Sequence, residues 1–327
     1  MNLGIVGTGM IVSWIAPNLA DWGITVNAMS GTPRSKERLD AMASEYGAAN
    51  RYTDWHELVC DPTIDTVYVA VPNFLHYEVT KAALLAGKDV ICEKPITSDY
   101  DEAAELASIA KREGRFLWEA VVTTRQPNFQ HVRRMLSRIG TIKMVYSTFS
   151  QYSSRYDAFR AGQVLPAFDP AKAGGALMDL GLYTLTFTFG LFGEPKAARY
   201  VPNIERSIDT SGVAVLEYDG FTAINVCAKD SGTPNQSLIQ GIDGWVRMED
   251  APSICGTVTL HLNDGTEEIV DDRLESVWEA EFRSFKAQQD AGDLATCQEE
   301  LQNSLLVCRI QNEIRKNAGV VFPTDKS

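Results

Sequence analysis

The sequence predicts an α/β chain in two parts, a doubly wound parallel sheet over residues 1–120 and an α+β region on a mostly antiparallel sheet over 121–327. Three observations carry this expectation. Short apolar runs alternate with helix-period segments as far as Glu119, the pattern of repeated βαβ units. Between Val213 and Leu262 strand-like segments follow one another across Gly-, Pro- and Asp-containing turns, the pattern of an antiparallel meander. At 327 residues the chain is long enough for two cores of ordinary size.

The first strand, Leu3 to Val6, runs into Gly7-Thr8-Gly9-Met10-Ile11-Val12 and a helix-like segment to about Leu19. A dinucleotide needs this arrangement: Gly7 for the tight turn, Gly9 to leave room for a pyrophosphate, and a helix N-terminus to supply amides. Gly7, Thr8, Gly9, Met10 and Ile11 are therefore candidate cofactor contacts, with Val12 in place of the last glycine. A plain strand-to-helix turn is the competing reading.

The second strand, Ile24 to Met29, ends in Ser30-Gly31-Thr32-Pro33-Arg34-Ser35. An acidic residue expected there for the ribose hydroxyl of NAD is absent. Ser30, Thr32 and Arg34 offer hydroxyls and a guanidinium that suit a 2'-phosphate, so the reading leans to NADP, with NAD as the other choice. Arg34 lying on a solvated loop with Lys36 and Arg38 is the alternative.

Lys36 to Tyr46 and Trp55 to Cys60 read as helices, Thr66 to Val71 as a buried strand, and Tyr77 to Ala86 as a helix closed by Gly87. Val90-Ile91-Cys92 is a further buried strand that stops on Glu93-Lys94-Pro95. Ligands bind beyond the carboxyl ends of parallel strands, which puts Val71, Pro72, Asn73, His76, Glu93 and Lys94 on the cofactor side. A cis Lys94–Pro95 bond is expected as the device that aims the lysine. Asp99 to Glu113 is a helix and Phe116 to Glu119 begins a strand.

Past Glu119, Asn128 to Arg138 reads as a helix, Lys143 to Gln151 as a strand and Gln163 to Ala173 as a loop. Arg155 and Tyr156, in the run Tyr152 to Asp157, are candidate substrate contacts or part of an ordinary surface turn. Gly174 to Tyr183 leads into an apolar helical run. Asp179 and Tyr183 are four residues apart and so share a helix face. Gly181 between them implies a close approach to the backbone, by a substrate or nicotinamide ring or by helix-on-sheet packing. Val277 to Asp290 and Cys297 to Ala318 are amphipathic helices.

A content of 45% hydrophobic and 22% charged residues is that of a soluble globular protein. The net charge of -13 argues against nucleic-acid and anionic-membrane partners. Cys60, Cys92, Cys227, Cys255, Cys297 and Cys308 show no Cys-x-x-Cys spacing and read as buried thiols in a reducing, cytoplasmic setting. The N-terminus enters a strand at once, with no targeting segment expected. The longest apolar stretch, Leu180 to Phe192, is short for a bilayer span. The four histidines lack metal-ligand spacing, so no metal is expected. No Gly-x-Ser-x-Gly elbow is present for a hydrolase.

Gly7-Thr8-Gly9, Pro72-Asn73-Phe74-Leu75-His76, Ala86-Gly87-Lys88 and Glu93-Lys94-Pro95, in this order and spacing, resemble the glucose-fructose oxidoreductase, inositol dehydrogenase and MocA-type family of NAD(P)-dependent oxidoreductases. The dihydrodiol dehydrogenase-like subset is the most similar. The resemblance implies a Rossmann domain followed by an α+β domain with a large, mostly antiparallel sheet, one face of which often forms a dimer interface. A homodimer or higher homo-oligomer is expected on that ground. The chain departs from the family pattern at Val12 and in carrying Thr124 then Arg125 where many relatives place arginine at the first of the two positions.

Hydride transfer from a carbinol carbon needs a group that exchanges the hydroxyl proton, with positive charge beside the developing alkoxide. A tyrosine does this when an ammonium favours its phenolate. Carried over by motif, the resemblance makes Tyr183 the proton donor or acceptor, Lys94 the ammonium that tunes it, and Asp179 the residue that positions the hydroxyl. The substrate expected is a sugar, polyol or trans-diol. A cofactor-binding sensor without sugar turnover is the alternative function.

Overall fold

The computed structural model describes residues 1–323 and Asp325. Six parallel strands form the first sheet: β1 (Asn2–Val6), β2 (Thr25–Ser30), β3 (Asn50–Tyr52), β4 (Thr66–Val69), β5 (Asp89–Glu93) and β6 (Leu117–Ala120). Their order is β3-β2-β1-β4-β5-β6, so the winding direction reverses between β1 and β4. Leu3, Ile5, Val67, Val69, Val90 and Ile91 are fully buried, as strands covered on both faces require. Helices α1 (Met10–Ile15), α2 (Lys36–Glu45), α3 (Trp55–Val59), α4 (His76–Leu85) and α5 (Tyr100–Glu113) make the crossovers. Asp99 caps α5 by accepting from the Asp101 amide at 3.0 Å. Val12, at the departure from the fingerprint, is fully buried beneath α1. The short β3 was not anticipated, because Asn-Arg-Tyr carries no apolar alternation.

In the second unit come α6 (Pro127–Met135), β7 (Ile142–Ser150), α7 (Tyr156–Arg160) and α8 (Leu182–Phe192). There follow β8 (Ala197–Glu205), β9 (Ile208–Tyr218), β10 (Phe221–Ala228), β11 (Gln236–Gly241), β12 (Gly244–Glu249), β13 (Val258–Leu262) and β14 (Glu267–Val270). With β7 they make an eight-stranded sheet, β14-β13-β12-β11-β7-β10-β9-β8, antiparallel except where β7 meets β10. One face buries Val145, Phe149, Leu216, Ala223, Ile239 and Leu260 with Phe129 and Val132 of α6 and Leu185 and Phe189 of α8. The edge strands β8 and β14 escaped the sequence reading because they are short of buried positions, and Pro202 on β8 is tolerated only at an edge.

The helical run Pro170–Phe192 is longer than the apolar stretch anticipated and meets the length and composition needed to cross a membrane. It lies mostly buried within the unit, as a core helix does. Its threonines are satisfied there: Thr184 donates to the Gly181 carbonyl at 3.0 Å and Thr188 to Asn225 Oδ1 at 2.9 Å.

Two helices close the chain, α9 (Glu279–Ala291) and α10 (Leu294–Asn317). The first compact unit is Met1–Ala120 together with Glu281–Leu305, and the second is Val121–Ala280 with the chain from Leu306 on. Residues 281–305 thus join the first unit, where the sequence places the boundary once, near residue 120. The cause is aromatic. Phe282 packs at a tilt on Trp22 and edge-on against Tyr68, Phe285 packs at a tilt on Trp118, and Trp118 Nε1 donates to Gln288 Oε1 at 2.7 Å.

Candidate functional site

Each unit carries its own candidate site. In the first unit it begins where β1 gives way to α1. Gly7 has φ +127°, and a Cβ there would stand 2.2 Å from the Ala70 carbonyl oxygen, so only glycine fits the turn. At Gly9 the nearest atom to such a Cβ is 4.0 Å away. The turn therefore leaves open space over Gly9, with Met10 exposed beside it and Thr8 and Ile11 half-buried. A pyrophosphate needs a turn of this form, and it lies at the point where the strand order reverses.

The end of β2 adjoins this turn, since the Gly7 amide donates to the Ser30 carbonyl at 2.9 Å. Ser30 itself is buried. Thr32 and Ser35 form a capping box, in which the Thr32 amide donates to Ser35 Oγ at 2.9 Å. Arg34 is exposed on the resulting turn. Arg38, grouped in the sequence with a solvated loop, reaches back to Ser13 Oγ at 3.1 Å and brings a guanidinium to α1.

At the ends of β4 and β5, His76 is buried with its ring nitrogens 2.7 Å from the Pro95 carbonyl and 2.9 Å from the Val71 carbonyl. It clamps the turn after β4 to the turn after β5. Burial lowers its pKa. Pro72 and Asn73 lie on the first of these turns, and the Lys94–Pro95 bond on the second is cis, as expected. Behind Lys94, Tyr68 donates to Glu93 Oε1 at 2.5 Å. Desolvation pushes the Glu93 carboxyl up to about 7, against the opposing pull of that hydrogen bond and of Lys94. Glu119 accepts from the Ile96 amide at 2.8 Å and so fixes the chain past the proline.

In the second unit Leu177–Gly181 is a π-helical turn that runs into α8. Wide turns of this kind occur most often at functional sites. Between Leu177 and Phe189 every residue is buried except Asp179 and Tyr183. The predicted pair thus stands partly open within an otherwise buried stretch from Leu177 to Phe189. Tyr183 packs on Phe149 with ring centroids 5.6 Å apart. Gly181 does not face the opening: a Cβ there would meet Leu177 Cδ1 at 2.9 Å and Cys227 Sγ at 3.2 Å, so packing against the sheet accounts for it.

Lys229, just past β10, was passed over in the sequence. Its Nζ lies 2.9 Å from Asp179 Oδ2 and donates to the Ala167 carbonyl at 2.9 Å. The start of the π turn is held by Asp209, whose Oδ2 accepts from the Leu177 amide at 2.7 Å and from the Tyr200 hydroxyl at 2.9 Å. Gly175, with φ +111°, lets Asp209 Oδ1 come within 2.2 Å of where a Cβ would be. Burial raises the Asp209 carboxyl to about 6.

Arg155 and Tyr156 are placed differently from each other. Arg155 is exposed at the start of α7. Tyr156 is buried among Phe159, Phe168 and Met178, and its hydroxyl donates to Glu205 Oε1 at 2.7 Å, which raises its pKa to about 12.

Residues 1–121 match the family described as the oxidoreductase family with NAD-binding Rossmann fold, and residues 129–247 match the GFO/IDH/MocA C-terminal domain. The chain is 34% identical to scyllo-inositol 2-dehydrogenase (NADP(+)) IolU of Bacillus subtilis over 336 aligned positions, covering 100% of both chains. Mouse trans-1,2-dihydrobenzene-1,2-diol dehydrogenase is 26% identical across 100% of this chain and 99% of its own. Among solved structures, the 3-ketoreductase KijD10 of Actinomadura kijaniata, in complex with NADP and TDP-benzene, superposes with a TM-score of 0.84. It does so at 23% identity, across 98% of this chain and 99% of that one.

Proposed function

The chain belongs to the GFO/IDH/MocA family of oxidoreductases, and from that premise we propose an NADP-preferring dehydrogenase of a sugar, polyol or trans-diol with Tyr183 as its acid/base. One observation carries the reading: Asp179 and Tyr183, four residues apart, are the two side chains left open on a helix otherwise buried from Leu177 to Phe189. A packing helix has no use for a carboxylate and a phenol on one open face.

The cradle over Gly9 fits a dinucleotide, and Thr32, Arg34 and Arg38 fit a 2'-phosphate, for which no acidic competitor stands at the end of β2. NADP supplies the hydride acceptor when bound. With hydride given up from the carbinol carbon to the bound cofactor, the hydroxyl proton would pass to the Tyr183 phenolate, leaving a carbonyl and a neutral Tyr183 hydroxyl. Asp179 accepts a hydrogen bond from the substrate and fixes its orientation. Lys94 takes the ammonium role, on the strength of its Glu-Lys-Pro turn and the family resemblance. Nucleophilic use of Cys92 is disfavoured, because burial holds its thiol protonated.

The open face of the eight-stranded sheet carries Met144, Tyr146, Ile224, Val226, Val215 and Leu238, none of them fully buried, and this supports a homo-oligomer formed through the sheet. No disulfide joins the six cysteines, of which Cys60 is exposed and five are buried. That supports a reducing, cytoplasmic setting.

The test is formation of NADPH, with NAD in parallel, across aldoses, inositols and trans-diols, comparing the native protein with Tyr183→Phe. Turnover that is lost in the variant, with NADP affinity within a few fold, is expected. Full activity of the variant would remove Tyr183 from the chemistry. NADP binding without turnover of any compound would favour a sensor.

A further inference from the structure

Asp179 is 40% exposed at its side chain, while the partner that holds it, Lys229, is 4% exposed. The two ends of this ion pair do different things. The carboxylate faces open space on the helix; the ammonium is enclosed, with Asp179 Oδ2 and the Ala167 carbonyl each 2.9 Å away and the Phe168 ring centroid at 5.0 Å. Lys229 comes from the end of β10, Asp179 from the π turn, and Ala167 and Phe168 from the 3-10 turn Pro166–Phe168. One charge therefore ties sheet, helix and loop together.

We propose that Lys229 is the positioning residue of the site: it holds the Asp179 carboxylate charged and aimed at the substrate hydroxyl, and locks the Pro166–Lys172 loop at the rim to the same ammonium. This rests on the reading of Asp179 as the group that orients substrate. A buried ammonium is costly unless its donors are satisfied, and here a carboxylate, a carbonyl and a ring face share that task. The other ionisable groups around it are Asp209 on β9, Cys227 on β10 and Asp230 just beyond. None of them takes the place of Asp179. Asp209 is committed to the Leu177 amide and the Tyr200 hydroxyl, Asp230 to Thr210 and Ser211, and burial holds the Cys227 thiol protonated.

Removal of the ammonium makes the Asp179 carboxylate easier to protonate and removes the contact that holds its Oδ2. Lys229→Met should lower kcat/KM roughly 100-fold and move the acid limb of its pH profile up by about one unit, with NADP affinity unchanged. Lys229→Arg should keep the acid limb near its native position. In the Asp179→Asn background, Lys229→Met should cost far less than it does alone, because the larger part of its effect on turnover runs through the carboxylate. Losses that multiply in the double variant, or a Lys229→Met profile with an unmoved acid limb, would overturn the proposal. Hydrogen exchange at the amides of residues 167–172 supplies an arm that needs no turnover, with about tenfold faster exchange expected in Lys229→Met. If the native protein oxidises nothing on the panel, the functional reading fails, and unchanged exchange in the variant would separately refute the role of Lys229.

Discussion

Glu93 shows how one residue of a recognisable motif acquires properties that the motif does not state. In sequence it is a carboxylate beside an ammonium at a strand end. In the fold its carboxyl is desolvated and titrates near 7 instead of 4.5, with Tyr68 as hydrogen-bond donor. The folded state therefore keeps a proton that the unfolded chain releases. The stability contributed by Glu93 is fully present below about pH 4.5 and is lost as the pH rises to about 7. Urea midpoints measured from pH 4.5 to 7.5 should decline more steeply in the native protein than in Glu93→Gln; parallel curves would show that Glu93 does not titrate there. Arg38 and Lys229 were illegible for a different reason. Each is a charged residue at an exposed-looking place, and only its reach to Ser13 or to Asp179 distinguishes it from a solvated one.

At the scale of elements, the most legible parts are those whose signals lie close together in the chain. The β1 turn is one. Gly7→Ala would force a Cβ against the Ala70 carbonyl and a side chain into the left-handed region, so it should destabilise the protein by about 2 kcal/mol or more and weaken NADP binding. Calorimetry and fluorescence titration would check both, and a variant with native stability and affinity would show that the turn has another conformation open to it. The i, i+4 spacing of Asp179 and Tyr183 predicts a shared helix face, and both are half-buried where their neighbours are buried, yet the π turn that carries Asp179 was not readable. Its start is held through the Leu177 amide by Asp209, some thirty residues on in sequence. The edge strands β3, β8 and β14 were missed for want of a buried apolar side to reveal them.

At the scale of the molecule, the uncovered sheet face bears directly on assembly. Val226→Lys or Leu238→Lys places a charge among Tyr146, Ile224 and Val215 without entering the core behind the sheet. Sedimentation velocity should show a homo-oligomer for the native chain and a shift toward monomer for either variant; a native monomer would remove the sheet face as an interface. The partition of the chain also belongs to this scale. The sequence by itself determined the doubly wound sheet and the antiparallel meander and nominated the cofactor-side turns and the Asp179–Tyr183 pair, because periodicity, turn residues and short motifs act over a few neighbouring positions. Tertiary structure alone decided that Glu281–Leu305 joins the first unit, that Gly181 packs against Cys227, and that Lys229 holds Asp179. Each depends on partners 46 or more residues away in the chain, 50 in the case of the Lys229–Asp179 pair. Pairings at that distance are set by packing and by the need to satisfy buried charge, which no local pattern encodes.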